Sequence, residues 1–284
     1  MPSTFQRVVA VFLVVSSLFF ANGIAYADAY EDIEKYTAQI KQNPNDSISY
    51  YNRGVAYSNL KQYEKAIQDL NKAIDLNPNN YMSYILRGGF YGILKQYEKS
   101  FIDLNVAIQL NPTNYLAYSG LGALFDELGK YEKAILYFNK SIELNPNDIF
   151  AYNHRGNSYK NLKQYELAIS DYNKALQINP NDFTTYYNRG YAYFELRLLE
   201  QAIQDLNKAI EINPNDVRPY FIRGGIYAMI KNFSQAIVDL TKAIQFDSNN
   251  IYAYNLRGAC YQELGEIKKA QADFAKAKQL GYKG

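Results

Sequence analysis

The chain has 284 residues, with 30 Lys and Arg against 28 Asp and Glu, a formal net charge of +2, 29 tyrosines and no tryptophan. Charge of both signs is spread along the whole chain instead of forming a basic block, which argues against nucleic acid as a partner. A single cysteine, Cys260, cannot form an intrachain disulfide, and with His154 as the only histidine there is no basis for a metal centre.

The first 27 residues differ in composition from the rest. Arg7 is their only charged residue, an apolar run from Val8 to Phe20 follows it, and Ala25-Tyr26-Ala27 places small residues where a signal peptidase reads the chain. We predict a signal peptide, residues 1–27, cleaved after Ala27. Assuming a bacterial source, the protein is then exported to the periplasm or secreted, with no membrane span after cleavage. An uncleaved anchor is the alternative, although the apolar run is shorter than the roughly 20 residues that span a bilayer.

From Ser47 onward the sequence repeats every 34 residues. The repeating positions of the first copy are Tyr50, Arg53-Gly54, Tyr57, Ala66, Leu70, Ala73 and Pro78. In the second copy they are Tyr84, Arg87-Gly88, Tyr91, Ser100, Leu104, Ala107 and Pro112. In all there are seven copies in the same phase, at 47–80, 81–114, 115–148, 149–182, 183–216, 217–250 and 251–284.

This spacing of an aromatic residue, a residue-Gly pair, Tyr, Ala, a large apolar residue, Ala and Pro resembles the tetratricopeptide repeat (TPR). The resemblance covers Ser47 to Gly284. It implies an all-α fold in which each copy contributes two antiparallel helices, A and B, to a right-handed superhelical solenoid. We interpret residues 28–46 as an N-terminal capping half-repeat, which shields the apolar face of the first full copy.

Small residues and short polar residues recur at fixed places in the copies. A glycine lies in the middle of each A helix, where it costs about 1 kcal/mol relative to Ala, and a close helix crossing would compensate for that cost. The residue before each A helix is Asp or Asn, which predicts an N-cap. Cys260 occupies the slot of Ala56 and Ser158, so we predict a small packed residue and not a nucleophile or metal ligand.

Six copies carry Arg before this glycine and Asp sixteen residues later, as in Arg53 with Asp69 and Arg189 with Asp205. The third copy has Leu121 and Tyr137 instead, so both partners are lost together. We therefore predict an Arg–Asp pair between helices A and B, replaced in copy three by an apolar contact. Common descent of six copies from one ancestor is the alternative explanation.

The resemblance also implies where partners bind, because A helices line the concave groove in this family. The residues that usually face the groove lie two, five, six, nine and twelve positions into each copy. In copies five to seven they include Tyr187, Tyr191, Phe194, Arg218, Phe221, Tyr252 and Asn255, and copy four contributes Asn153, Asn157 and Lys160. Aromatic rings, amides and a cation suit an extended peptide. Some rings could instead pack between A helices, and this alternative weighs more for Tyr187 and Phe221 than for Tyr191 and Phe194.

The family's carboxylate clamp grips an acidic C-terminal peptide with Lys and Asn in one A helix, Asn in the next, and Lys and Arg in the third. This chain matches it at Asn157, Asn188 and Arg218. It departs from the clamp at Asn153 and Ile222, where cations are expected. Two of the three cations are absent, which argues against binding of a chaperone tail.

We conclude from the sequence that the protein is a non-enzymatic scaffold, with no cofactor and no small-molecule substrate, that binds a peptide or protein segment in its concave groove. The alternative is a structural component of a cell-envelope assembly that self-associates, for example as a homodimer through the last copy. Lys268, Lys269, Lys276 and Lys278 favour a solvated final helix instead.

Overall fold

The computed structural model describes residues 26–283, and every regular element in this range is an α-helix. Its fifteen helices are α1 (Tyr26–Gln42), α2 (Ser47–Asn59), α3 (Tyr63–Leu76), α4 (Tyr81–Ile93), α5 (Tyr97–Leu110), α6 (Tyr115–Glu127), α7 (Tyr131–Leu144), α8 (Ile149–Asn161), α9 (Tyr165–Ile178), α10 (Phe183–Glu195), α11 (Leu199–Ile212), α12 (Val217–Met229), α13 (Phe233–Phe246), α14 (Ile251–Glu263) and α15 (Ile267–Gln279). The predicted signal peptide lies outside the described residues except for Tyr26 and Ala27, which begin α1. No helix between residues 26 and 283 combines the length and apolarity needed to cross a bilayer.

The chain divides into two compact units, Met1–Ser158 and Tyr159–Gly284, with the boundary inside α8. In the first unit α1 packs against α2, and the pairs α2–α3, α4–α5 and α6–α7 follow it. In the second unit the pairs are α10–α11, α12–α13 and α14–α15. The predicted all-α fold built from tandem helix pairs is confirmed.

The predicted N-caps are confirmed. Each junction Asp or Asn accepts a hydrogen bond from a backbone N–H of the first turn, as Asp46 does from Ile48 at 3.0 Å and Asn80 from Met82 at 3.2 Å. The B helices of copies one to six end just before an Asn or Asp whose side chain accepts a hydrogen bond from the N–H two residues later. Asp247 accepts from Asn249 at 3.1 Å although Ser248 replaces the proline. This local turn therefore ends a B helix even where proline is absent.

The close helix crossings predicted from the glycines are also present. A Cβ added to Gly54 would lie 3.2 Å from the carbonyl oxygen of Ala66, and one on Gly122 would lie 2.5 Å from the ring of Phe138. Ala66 and Phe138 are completely buried. Cys260 is 1% exposed and packs with Leu240 and its neighbours, as predicted for a small core residue.

Five of the predicted Arg–Asp pairs lie within a single unit, and all five are formed. In each, Nε and Nη2 of the arginine donate to the two carboxylate oxygens at 2.7 to 2.8 Å, in the pairs Arg53–Asp69, Arg87–Asp103, Arg189–Asp205, Arg223–Asp239 and Arg257–Asp273. In copy three Leu121 is completely buried, and Tyr137 packs against the buried cluster that contains it. The apolar replacement predicted there is confirmed.

The arginines have a second partner residue that the sequence analysis did not include. Nη1 donates to a side chain sixteen residues earlier, on the preceding B helix, as from Arg87 to Asn71 at 2.7 Å and from Arg257 to Thr241 at 3.0 Å. In copy three, Asn105 has lost this arginine, and it donates to the Phe101 carbonyl of its own helix at 2.7 Å. Each arginine thus joins three helices, because its planar group carries five donors in a fixed geometry.

Candidate partner-binding site

The eleven predicted partner-binding residues all lie on A helices, and they are divided between the two units. Asn153 and Asn157 belong to the first unit, where both are half-buried on α8. The other nine, from Lys160 to Asn255, belong to the second. Within that unit α10 neighbours α12, and α12 neighbours α14. The A helices of copies five to seven therefore present their side chains side by side, and the site is described within this unit.

Lys160 and Asn188 contact one another. The Nζ of Lys160 donates a hydrogen bond to Oδ1 of Asn188 at 2.8 Å, and Asn188 is only 7% exposed. The prediction placed Asn188 in the groove, whereas the structure buries its side chain under the lysine. Its side-chain oxygen already accepts a hydrogen bond from Lys160. Asn188 therefore positions Lys160 and presents little surface of its own to a partner.

Arg218 is held by the second unit itself. Its Nε and Nη2 donate to Asp216 at 2.9 and 2.7 Å, and its guanidinium carbon lies 4.7 Å from the centre of the Tyr187 ring and 5.3 Å from that of Phe183. Burial raises the pKa of Tyr187, and the nearby Arg218 opposes that increase. Asp216 already neutralises the charge of Arg218. Arg218 is therefore a weaker clamp residue for an acidic tail than its position in the sequence suggests.

Three of the predicted rings belong to the core as well as to the surface. Tyr187 and Phe194 pack against the buried cluster of Ala202, Leu206 and Ile226, and Phe221 packs against the neighbouring cluster that contains Leu240. This confirms the packing alternative for Tyr187 and Phe221. The sequence analysis gave this alternative less weight for Phe194, but Phe194 also packs against the core. Position twelve holds the small residues Ser58 and Gly92 in two other copies, where no ring could reach such a cluster.

Tyr191 differs from those rings because it belongs to none of the buried clusters. It is half-buried, and its ring centre lies 6.5 Å from that of Phe194. Its hydroxyl bonds to Glu195, one turn later on α10. Burial first, and then the bond to Glu195, raise the pKa of Tyr191, so the hydroxyl stays protonated as a donor.

The predicted residues of copy seven contact the end of the described chain. Asn255 Nδ2 donates to the hydroxyl of Tyr282 at 3.1 Å. The rings of Tyr252 and Tyr282 meet edge to face with their centres 6.5 Å apart. Tyr252 nevertheless remains 68% exposed, the largest exposure among the ring residues predicted for the site.

Two side chains beside the site were missed by the sequence analysis. Glu195 is the last residue of α10, and the hydroxyl of Tyr165, from the preceding copy, donates to its Oε2 at 3.4 Å. The i,i+4 spacing of Tyr191 and Glu195 on one helix was a signal that could have identified the carboxylate. The contribution of Tyr165 depends on the stacking of one copy on the next.

Tandem helix pairs with variable side chains on one row of helices define a helical-repeat protein of the kind that binds other proteins. Family models of the tetratricopeptide repeat match residues 47–80, 115–148 and 183–216, and also 137–170 and 240–272, while a TPR repeat model matches residues 156–196. These matches cover more than half of the chain. The protein belongs to the tetratricopeptide-repeat family, whose members are protein-interaction scaffolds and typically not enzymes.

Individual relatives resemble parts of the chain. The small glutamine-rich tetratricopeptide repeat-containing protein 2 of Saccharomyces cerevisiae is 46% identical over 44 residues, which is 16% of this chain and only 13% of that protein. The crystal structure of MamA is 25% identical, covering 56% of this chain and 93% of MamA with a TM-score of 0.54. YrrB, described as a TPR protein with an unusual peptide-binding site, is 26% identical over 66% of this chain and 96% of its own, with a TM-score of 0.51.

Proposed function

We propose that this protein is a non-enzymatic scaffold that binds an extended or helical protein segment on the A helices of its second unit, across copies five to seven. The observation that carries the proposal is the Tyr191 ring. It is half-buried and lies outside the buried clusters of the described residues, at a position filled in other copies by Val55, Gly89 and Ala123. A large ring that packing does not require has its best use in contact with a partner.

The surroundings of Tyr191 support this role. Phe194 and Tyr187 form an apolar surface beside it, and both rings pack against the core. Tyr252 adds an exposed ring on α14. Rings held in this way lose little conformational freedom on binding, which favours affinity. The description of YrrB as a TPR protein with a peptide-binding site is consistent with a peptide as the partner.

A role without catalysis fits the chemistry of the rarer side chains. Cys260 is buried, and burial raises its pKa, which disfavours the reactive thiolate. His154 stacks on Phe150 with the ring centres 4.0 Å apart. Between residues 26 and 283 no group of His, Cys, Asp and Glu is placed to hold a metal ion.

The alternative, self-association through the last helix, has less support. The outward side of α15 carries exposed Lys268, Lys269 and Lys278, and Ile267 is the one large apolar side chain exposed on that helix among the described residues. Sedimentation velocity across a hundredfold range of protein concentration separates the two proposals. A monomer throughout favours the scaffold, while a dimer that Ile267→Glu dissociates favours assembly.

The scaffold is tested with peptides selected from a random twelve-residue display library on the purified protein. We expect Tyr191→Ala to weaken the selected peptides roughly thirtyfold, as for an aromatic hot spot, and to change the midpoint of thermal unfolding little. Phe194→Ala should also destabilise the protein, by about 2 kcal/mol, because its ring packs against the buried cluster that contains Leu206. Failure to select any peptide above the bare support, or unchanged affinity of Tyr191→Ala, would refute this site.

A further inference from the structure

Glu195 carries a carboxylate that lies beside the hydroxyl groups of two tyrosines. The Tyr165 hydroxyl donates to its Oε2 at 3.4 Å, and the Tyr191 hydroxyl bonds to it from one turn earlier on α10. Glu195 itself is exposed, so its charge remains accessible to a partner. The two hydroxyl donors place the carboxylate beside two aromatic rings.

The charge at this place is negative and is not balanced within the described part of the second unit. Burial and the nearby Glu195 raise the pKa of Tyr165 and Tyr191, so both hydroxyl groups remain protonated donors. The end of α10 adds the partial negative charge of its free carbonyl groups. Among the described residues, no Lys or Arg forms an ion pair with Glu195.

Two basic side chains of the same unit, Arg197 and Lys160, have other contacts. Arg197, two residues after Glu195, lies over the Phe194 ring with its guanidinium carbon 5.8 Å from the ring centre, and its Nη1 is 3.5 Å from Sδ of Met229. Lys160 donates to Asn188. Both cations are therefore held elsewhere by the contacts that the structure provides.

We propose that Glu195, Tyr165 and Tyr191 form a subsite for a lysine or arginine side chain of the bound segment. The inference rests on the function proposed above and states which partner chemistry the site selects. A carboxylate beside ring faces attracts a cation through both charge pairing and the negative faces of the rings. The same arrangement disfavours an acidic peptide, in agreement with the incomplete carboxylate clamp.

Copy three offers a matched comparison in the first unit. Glu127 lies at the position equivalent to Glu195. Burial raises the pKa of Tyr97, and the nearby Glu127 raises it further. The slot of Tyr191 holds Ala123 there, so the second ring is missing. The complete arrangement of one carboxylate and two tyrosines thus belongs to copy five, and Glu127→Gln serves as the control.

The test uses the full chain and one peptide selected from the random library, measured by isothermal titration calorimetry. Each Lys or Arg of that peptide is replaced in turn by norleucine, which keeps the aliphatic stem and removes the charge. We expect one replacement to weaken binding about fivefold, Glu195→Gln to weaken it by a similar factor, and the two changes together to add little more. Tyr165→Phe should weaken binding less, since it keeps the ring, and Glu127→Gln should leave it unchanged.

The outcomes separate this inference from the proposed function. If peptides bind and Tyr191→Ala weakens them, but Glu195→Gln and the norleucine peptides bind as before, the scaffold stands and the cation subsite is wrong. If selected peptides lack Lys and Arg, the subsite is likewise overturned. If no peptide binds, both proposals fail. Independent, fully additive losses from the Glu195 and norleucine changes would show that the two charges do not meet.

Discussion

Arg189 and Asp205 form a bidentate ion pair in which Nε and Nη2 of the guanidinium each lie 2.7 Å from a carboxylate oxygen. Nη1 continues the connection to Asn173 on the preceding B helix at 2.6 Å. Burial raises the pKa of Asp205 and the bonds from Arg189 lower it, with burial the larger effect. The pair is therefore costly to desolvate, and its removal as a unit should cost far less than the loss of one partner.

We expect Arg189→Leu alone to destabilise the protein by about 3 kcal/mol, because it leaves Asp205 buried and unpaired. Arg189→Leu combined with Asp205→Tyr reproduces the apolar contact of Leu121 and Tyr137 in copy three and should recover a good part of the loss. Urea unfolding of the four variants in a double-mutant cycle measures the coupling.

The pair Lys208–Glu211 is the control for that cycle, since it is more exposed, with 37% and 68% of the two side chains accessible, and Lys208→Ala should cost less than about 0.5 kcal/mol. A coupling energy near zero between Arg189 and Asp205 would show that the observed ion pair has no role in stability.

Two helical glycines should respond in opposite directions to alanine. A methyl group on Gly122 would meet the buried Phe138 ring at 2.5 Å, so Gly122→Ala should destabilise by about 2 kcal/mol. At Gly225 the nearest atom, on Leu256, is 3.8 Å away, so Gly225→Ala should stabilise by about 1 kcal/mol through helix propensity. Calorimetric unfolding of both variants measures the two changes in stability. A change of the same sign in both would contradict the close helix crossing at Gly122.

The turns between helices A and B contain basic residues in the left-handed region of backbone conformation. Lys231 has φ 62°, while Gly129 and Gly265 occupy the same place in copies three and seven with φ 69° and 73°. Since a Cβ is strained in this conformation, Lys231→Gly should stabilise by about 1 kcal/mol.

The control for Lys231 is Lys242→Gly, which lies inside α13 and should destabilise by about 1 kcal/mol. Thermal unfolding midpoints of the two variants are compared with that of the parent protein. Equal losses in both would mean that the turn does not impose the strain.

We propose that the protein is exported and that cleavage follows Ala27, on the basis of Arg7, the apolar run and the Ala25-Tyr26-Ala27 sequence. Intact-mass analysis of protein purified from its native host should give a chain that begins at Asp28. Ala25→Leu, which blocks the small-residue position, should leave the precursor uncleaved. A native protein that still begins at Met1 would refute cleavage.

The sequence alone determined the helix pairs, the caps, the close crossings and the Arg–Asp pairs. Each of these relations occurs in several copies, so one chain supplies repeated examples, and copy three supplies the informative exception at Leu121 and Tyr137. The Asn or Thr that binds each arginine from the preceding copy was also visible as a pattern, sixteen residues before the arginine. It was not recognised, because its meaning depends on how one copy packs on the next.

Only the tertiary structure decided the roles of the groove residues. It showed that Asn188 lies beneath Lys160, that Asp216 engages Arg218, that Phe194 reaches the core and that Glu195 lies between Tyr165 and Tyr191. These positions vary from copy to copy, so the repeats give little help in assigning them: even Glu127 of copy three lacks the second tyrosine found beside Glu195. Their contacts depend on side-chain conformation and on the distance between neighbouring helices, and packing across the whole unit sets both.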